Sequence, residues 1–360
     1  MKQEPQTPQH HPLETRHVFL DTEVYRQFGH NPDAAPLREL GKKVLAGQLI
    51  LHTTDITLAE ISRQLAEYVA ESARELKRVG KSVGRLHDRH PDLVAEVPKF
   101  DVETVSKAAF QKISRAICET WNAIYHNATA EPALAVFADY FSGRPPFSQA
   151  KSKEFPDAFV IKALETWCKE HDERIYVVSK DKAMQEAVSA TGVLVAAGSL
   201  QDLLAAATIV ETPDIIRRAD ELLRKKSVVV GLQTAIEAKI DRLLLLYGGD
   251  FAEGEVTGHS VSGNIEIITY GVIAAAAKDL GVLMDVRIPL SIELSYEDRS
   301  DAPYDSEDDT YFGAETADTG FEDDPTIRVF AKLRRKAPHV HSVEILTAEL
   351  RVQEPYENYK

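Results

Sequence analysis

Four carboxylates, Asp21, Glu60, Asp157 and Asp181, stand at positions where chemistry is expected. Asp21 ends the short apolar run Val18-Phe19-Leu20, and Asp181 closes the segment Ile175-Tyr176-Val177-Val178-Ser179-Lys180. Such runs read as buried strands, and ligand sites in open α/β sheets collect at the carboxyl ends of strands. Glu60 lies in the first turns of a helix capped by Thr54 or Asp55, just after the strand Leu49-Ile50-Leu51-His52. Asp157 follows Pro156 and opens a helix that runs to His171. In a parallel sheet all four positions face one edge. Carboxylates gathered there repel one another unless cations neutralise them, and an oxygen-only donor set suits Mg²⁺ or Mn²⁺. Two such ions about 3.5–4 Å apart assist hydrolysis of phosphodiesters. Each acid also has a plainer reading. Asp157 and Asp181 would favour the positive ends of their own helices, and Glu60 would pair with Arg63. Asp21 fits such a reading least, because an aspartate ending an apolar strand has no helix of its own to cap.

The elements that must position these acids follow from the apolar spacing. A short helix is expected over Pro36–Ala46, and the helix holding Glu60 is expected to reach about His90 with a break at Gly80 or Gly84. Residues 91–142 read as all-helical. Gly143-Arg144-Pro145-Pro146 opens a loop that leads to Phe155. After the strand at 174–179 come a helix to about Ser189, a strand at Val193-Leu194-Val195 and a helix over Ser199–Ala207. This β-α-β-α succession predicts an α/β fold, a parallel sheet flanked by helices with an all-helical insertion. Beyond Glu211 the pattern changes. Helices at 213–225 and 231–246 precede strands at 254–261, 264–274, 283–296, 326–334 and 343–352, which predicts an α+β domain with an antiparallel sheet. The expected organisation is thus a disordered tail over 1–16, a domain over 17–210 and a C-terminal domain over 211–360, with an acidic loop at about 297–324.

Composition sets bounds on function. A chain of 360 residues exceeds the usual size of a single core. No stretch is apolar enough to span a bilayer, and the polar first sixteen residues lack the core of a secretion signal, so a cytoplasmic protein with no membrane partner is expected. Cys118 and Cys168 sit in helical patterns and read as small buried hydrophobes. His52, His87, His90, His126 and His171 show no metal-ligand spacing and read as ordinary polar residues, and His10-His11 as part of the tail. The formal net charge of −15 is unevenly spread: residues 1–210 carry 25 Lys+Arg against 28 Asp+Glu, and the remaining 150 carry 17 against 29.

The order strand-Asp-Thr, helix-Glu, helix-Asp, strand-Ser-x-Asp resembles the PIN domain, a metal-dependent ribonuclease fold. The segments Phe19-Leu20-Asp21-Thr22, Leu58-Ala59-Glu60-Ile61, Phe155-Pro156-Asp157-Ala158 and Val178-Ser179-Lys180-Asp181 carry the likeness over about residues 16–208. Lys151-x-Lys153-Glu154-Phe155-Pro156-Asp157 is similar to a largely bacterial subgroup with long helical insertions and a C-terminal extension. The resemblance implies that Asp21, Glu60, Asp157 and Asp181 ligate Mg²⁺ or Mn²⁺, with Thr22 and Ser179 as hydroxyls that orient carboxylates or water. Many family members carry another acid shortly after the last aspartate, whereas Lys182 and Ala183 follow here, so one metal is better supported than two.

The function so implied is hydrolysis of single-stranded RNA by a metal-dependent endoribonuclease, toxin-like or defence-related, leaving a 5′-phosphate and a 3′-hydroxyl. The alternative is a catalytically silent PIN-like binding or scaffold module. Arg74, Arg78, Lys81, Arg85 and Arg89 fall near the spacing of one helical face and read either as a stripe for a nucleic-acid backbone or as a solvated face. The acidic run reads as a solvated loop or as an imitation of polyanionic substrate. The C-terminal domain would serve homo-oligomerisation or a regulatory protein partner.

Overall fold

The computed structural model describes residues 13–354 apart from 96, 148–153, 210–213, 301, 303, 306–309, 312–314 and 337–338. The His10-His11 pair, most of the expected tail and the Lys151-x-Lys153 segment lie outside the described residues. The chain divides into two compact units, one spanning Pro12–Leu204 and the other built from Ala205 onward.

The first unit is organised on five parallel strands, β1 (His17–Leu20), β2 (Ile50–Thr54), β3 (Ile124–His126), β4 (Ile175–Val178) and β5 (Leu194–Ala197), in the order β3-β2-β1-β4-β5. Its helices are α1 (Thr22–Gln27), α2 (Ala35–Leu45), α3 (Asp55–Arg89), α4 (Val102–Arg115), α5 (Ala133–Ser142), α6 (Phe155–His171), α7 (Lys182–Ala190) and α8 (Leu200–Ile209), which runs across the boundary between the units. Parallel strands buried on both faces read as continuous apolar runs, and β1 is buried at every position. One face of the sheet packs on α6 and α7, where Phe19 and Val177 meet Leu164, Cys168 and Val188.

Three expectations need correction here. The stretch 91–142 is not all helix, because β3 extends the sheet beyond β2. Three residues at an edge are too short to show a period. The helix carrying Glu60 does not break: α3 runs 35 residues through Gly80 and Gly84. A glycine weakens a helix by about 1 kcal/mol, which the surrounding turns can carry. Finally, α1 begins directly after Asp21, so that aspartate does precede a helix, yet its side chain makes no capping bond.

The second unit begins with α9 (Ile215–Leu223) and α10 (Lys226–Glu237), followed by β6 (Leu244–Tyr247), β7 (Glu255–Val261), β8 (Glu266–Ala275), β9 (Asp279–Arg287) and β10 (Leu290–Asp298). The short pair β11 (Tyr304–Asp305) and β12 (Thr310–Tyr311) precedes β13 (Glu315–Asp323), β14 (Thr326–Arg334), β15 (Val340–Ile345) and β16 (Glu349–Val352). Two antiparallel sheets form, β15-β14-β9-β8 and β13-β10-β7, with β6 and β16 as a parallel pair. Leu222, Leu232 and Ile236 from the helices share one core with Val282, Met284, Val329 and Leu290 from the strands. The single strand expected over 283–296 is two, divided at Ile288-Pro289, where the chain leaves one sheet and enters the other. Proline lacks the N–H that would continue a ladder. Part of the expected acidic loop is likewise a strand. β13 pairs with β10 along its whole length because Phe321 and Ala317 alternate with the acids and turn toward the packed side.

Candidate active site

The carboxyl ends of β1 and β4 lie side by side, since Val18, Phe19 and Leu20 pair with Tyr176, Val177 and Val178. The Asp21 amide continues the contact by donating to the Val178 carbonyl at 3.0 Å. Beyond the strands, Ser179 Oγ donates to Asp21 Oδ2 at 2.7 Å, and the Asp181 amide donates to Ser179 Oγ at 3.1 Å. Gln185 Nε2 donates to the Ser179 carbonyl at 2.7 Å, so Ser179 is held from both ends. This fully enclosed hydroxyl fixes the orientation of the Asp21 carboxylate.

Glu60 reaches the same edge through α3. Thr54, the last residue of β2, caps that helix by accepting from the Thr57 amide at 3.0 Å. Asp55 instead receives the Ala128 amide at 2.8 Å and ties down the turn that follows β3. Glu60 is then one and a half turns into the helix, where Thr22 Oγ1 donates to its Oε2 at 2.7 Å. Both hydroxyls named from the sequence, Thr22 and Ser179, are therefore buried and bound to acids named with them.

Asp157 is brought to the group by the first turn of α6, with Pro156 in the initial helical positions. Burial, a hydrogen bond shared with Glu154, and the charges of Asp21, Glu154 and Glu60 push its carboxyl up to about 8. Asp21 is also raised, chiefly by burial, with the Ser179 bond acting against it and Glu23 and Glu60 adding to it. Three of the four expected acids thus feel one another directly. Glu154 joins them, although sequence reasoning placed it in a loop. Its spacing of three from Asp157, one helical turn, was the available signal.

Asp181 is placed differently. Its Oδ1 accepts from the Ala183 and Met184 amides at 2.7 and 3.0 Å, capping α7. Its amide links it to the group through Ser179. The arginine and lysine stripe is exposed on α3 but begins fourteen residues beyond Glu60, about 21 Å along the helix at 1.5 Å per residue.

Residues 18–184 match a family model described as the PIN domain. The N-terminal unit belongs to the PIN-domain family. Neither the curated proteins nor the solved structures give a match to the chain. PIN domains are generally nucleases, and the family generally uses divalent metal ions. The donor chemistry of this PIN domain fits such an ion: hard oxygen donors only, with burial and mutual repulsion that a cation would relieve. Its side chains are not drawn up into a finished coordination shell, since no group of three or more His, Cys, Asp or Glu is poised around one point among the described residues. Among the same residues, no helix is long and apolar enough to cross a membrane.

Proposed function

We propose that the PIN domain is a metal-dependent endoribonuclease acting on single-stranded RNA, with Asp21, Glu60 and Asp157 holding Mg²⁺ or Mn²⁺. The observation that carries this reading is the knot of carboxylates at the sheet edge, where Ser179 holds Asp21, Thr22 holds Glu60, and Asp157 lies close enough to feel Asp21, Glu60 and Glu154. Proteins keep such knots chiefly where function uses them. When bound, the cation would neutralise the developing charge on the phosphate and lower the pKa of the attacking water. The protein's own residues supply position. Ser179 holds Asp21, Thr22 holds Glu60, and Glu154 shares a proton with Asp157 that binding of a cation would release. Asp181 would fix Ser179 through its amide and the start of α7 through Oδ1, and would add a ligand to the ion through its other carboxylate oxygen.

Single-stranded substrate is favoured by the face of α5 next to the start of α6. Phe137 and Phe141 expose their rings there, and Phe137 lies 5.3 Å from Phe155, two residues before Asp157. Unpaired bases stack on exposed aromatic side chains without regard to sequence. The C-terminal unit would then select substrate, bind a regulatory protein or join copies of the chain, and a toxin-like or defence role is the physiological form of this reading.

The test is cleavage of a labelled single-stranded RNA with Mn²⁺, Mg²⁺ or EDTA by wild type and Asp21→Asn, with a DNA strand as control. Metal-dependent cutting lost by at least about 100-fold in the variant is expected. A wild type that neither cuts nor binds either ion would replace this reading with the scaffold module.

A further inference from the structure

Away from the carboxylates, three histidines from three neighbouring strands form a continuous hydrogen-bonded file. His17 Nδ1 lies 2.8 Å from His52 Nε2, and His52 Nδ1 lies 2.8 Å from His126 Nε2. His52 is fully buried and the outer two nearly so. Strand register explains the line: Phe19 of β1 is level with His52, and Thr54 of β2 is level with His126, so the file crosses the sheet diagonally on one face. Trp167 of α6 lies against all three rings, with centroids 5.0, 4.6 and 6.1 Å away, and His171 stacks on its outer side at 4.3 Å.

Counting protons gives this file unusual properties. Each N···N contact must hold one hydrogen, because two lone pairs or two N–H groups at 2.8 Å repel. Three neutral rings satisfy both contacts in only two ways. Either every ring carries its proton on Nε2, leaving His17 Nε2–H at one end, or every ring carries it on Nδ1, leaving His126 Nδ1–H at the other. One added proton is also accommodated. Both contacts stay filled, both ends are protonated, and the charge can rest on any of the three rings by short shifts of hydrogen within the contacts. A second added proton must place two hydrogens in one contact and break it.

We propose that His17, His52 and His126 act as a single titrating unit that conducts a proton along the file, tolerates one added charge and opens on the second. Opening would part β2 from its neighbours, and β2 ends in the cap of the helix that carries Glu60. Acid would therefore disengage Glu60 from Thr22 and draw it from the other acids, a consequence that rests on the nuclease reading, whereas the file itself does not. The charged and titratable groups around the file are few. Glu173 favours charge on His17, Arg16 and His171 oppose it, and His171 also opposes charge on His52 and His126. Burial is the largest influence on all three rings and keeps them neutral, holding His126 near 4 and His52 near 2.

The experiment is a pH titration of ¹⁵N-histidine-labelled full-length protein, reading ring nitrogens by long-range proton–nitrogen correlation and assigning them with single substitutions. The expected result is one common tautomer at pH 7.5, then shifts of all three rings with a shared midpoint well below the ordinary ~6.5. Three separate titrations near that value would overturn the proposal. His52→Leu removes the central ring, and its acid unfolding midpoint should fall by about one pH unit relative to wild type. An unchanged midpoint would also count against the file. Should this variant not fold, the wild-type titration decides alone. Neither readout uses RNA, so failure of the file and failure of the nuclease reading are separable.

Discussion

Asp157 shows what the cation-free site costs the fold. Its carboxyl keeps a proton up to about 8 in the folded chain, whereas in an unfolded chain it would ionise near ~3.9. Between those values the folded state binds more protons than the unfolded one. The contribution of Asp157 to stability in EDTA should therefore be full below about pH 4 and decline as pH rises toward 8. Asp157→Asn removes that slope and should raise Tm at pH 7.5 in EDTA, by about 2–4 °C for each kcal/mol recovered. In Mn²⁺ the order should reverse, with wild type gaining the larger increase; thermal unfolding of both proteins with and without the ion checks both signs. At this scale the sequence was partly legible. Asp21, Glu60 and Asp157 were found because strand ends and helix starts meet at one edge of a parallel sheet. Asp181 shares that address, and one of its carboxylate oxygens also caps the helix that follows, two and three residues on. The histidine file had no signal of this kind, since its members are 35 and 74 residues apart and meet only through strand register.

Among the elements, α3 departs furthest from what local preference dictates. Glycines at 80 and 84 suggested a break, yet the helix continues, and a Cβ placed on Gly84 would meet nothing within 4 Å. Gly84→Ala should therefore strengthen the outer turns by about 1 kcal/mol, slowing amide exchange over residues 80–89 about fivefold. Faster exchange would show that the glycine serves a bend in solution. Strand β6 was hidden for the opposite reason. Leu243-Leu244-Leu245-Leu246 suits a helix, and only its parallel partner β16, about a hundred residues on, makes it a strand. Long periodic elements were thus readable, while short strands needed partners that sequence spacing does not announce.

For the whole molecule, the acidity that argues against nucleic acid is concentrated from residue 211 onward, while the PIN domain is close to neutral and exposes Arg74, Arg78, Lys81, Arg85 and Arg89 in a row. Glu60 and this row share one uninterrupted helix, so the interval between them is set by residue count: about 21 Å to Arg74 and about 44 Å to Arg89. On the nuclease reading α3 is a ruler. An RNA too short to reach Arg74 from the scissile bond should be cut with little dependence on salt. Longer strands should acquire a salt slope that steepens as each cation comes within reach and levels off past Arg89. Cleavage rates of a length series at several salt concentrations would read the graduations, and a slope independent of length would mean that the helix measures nothing.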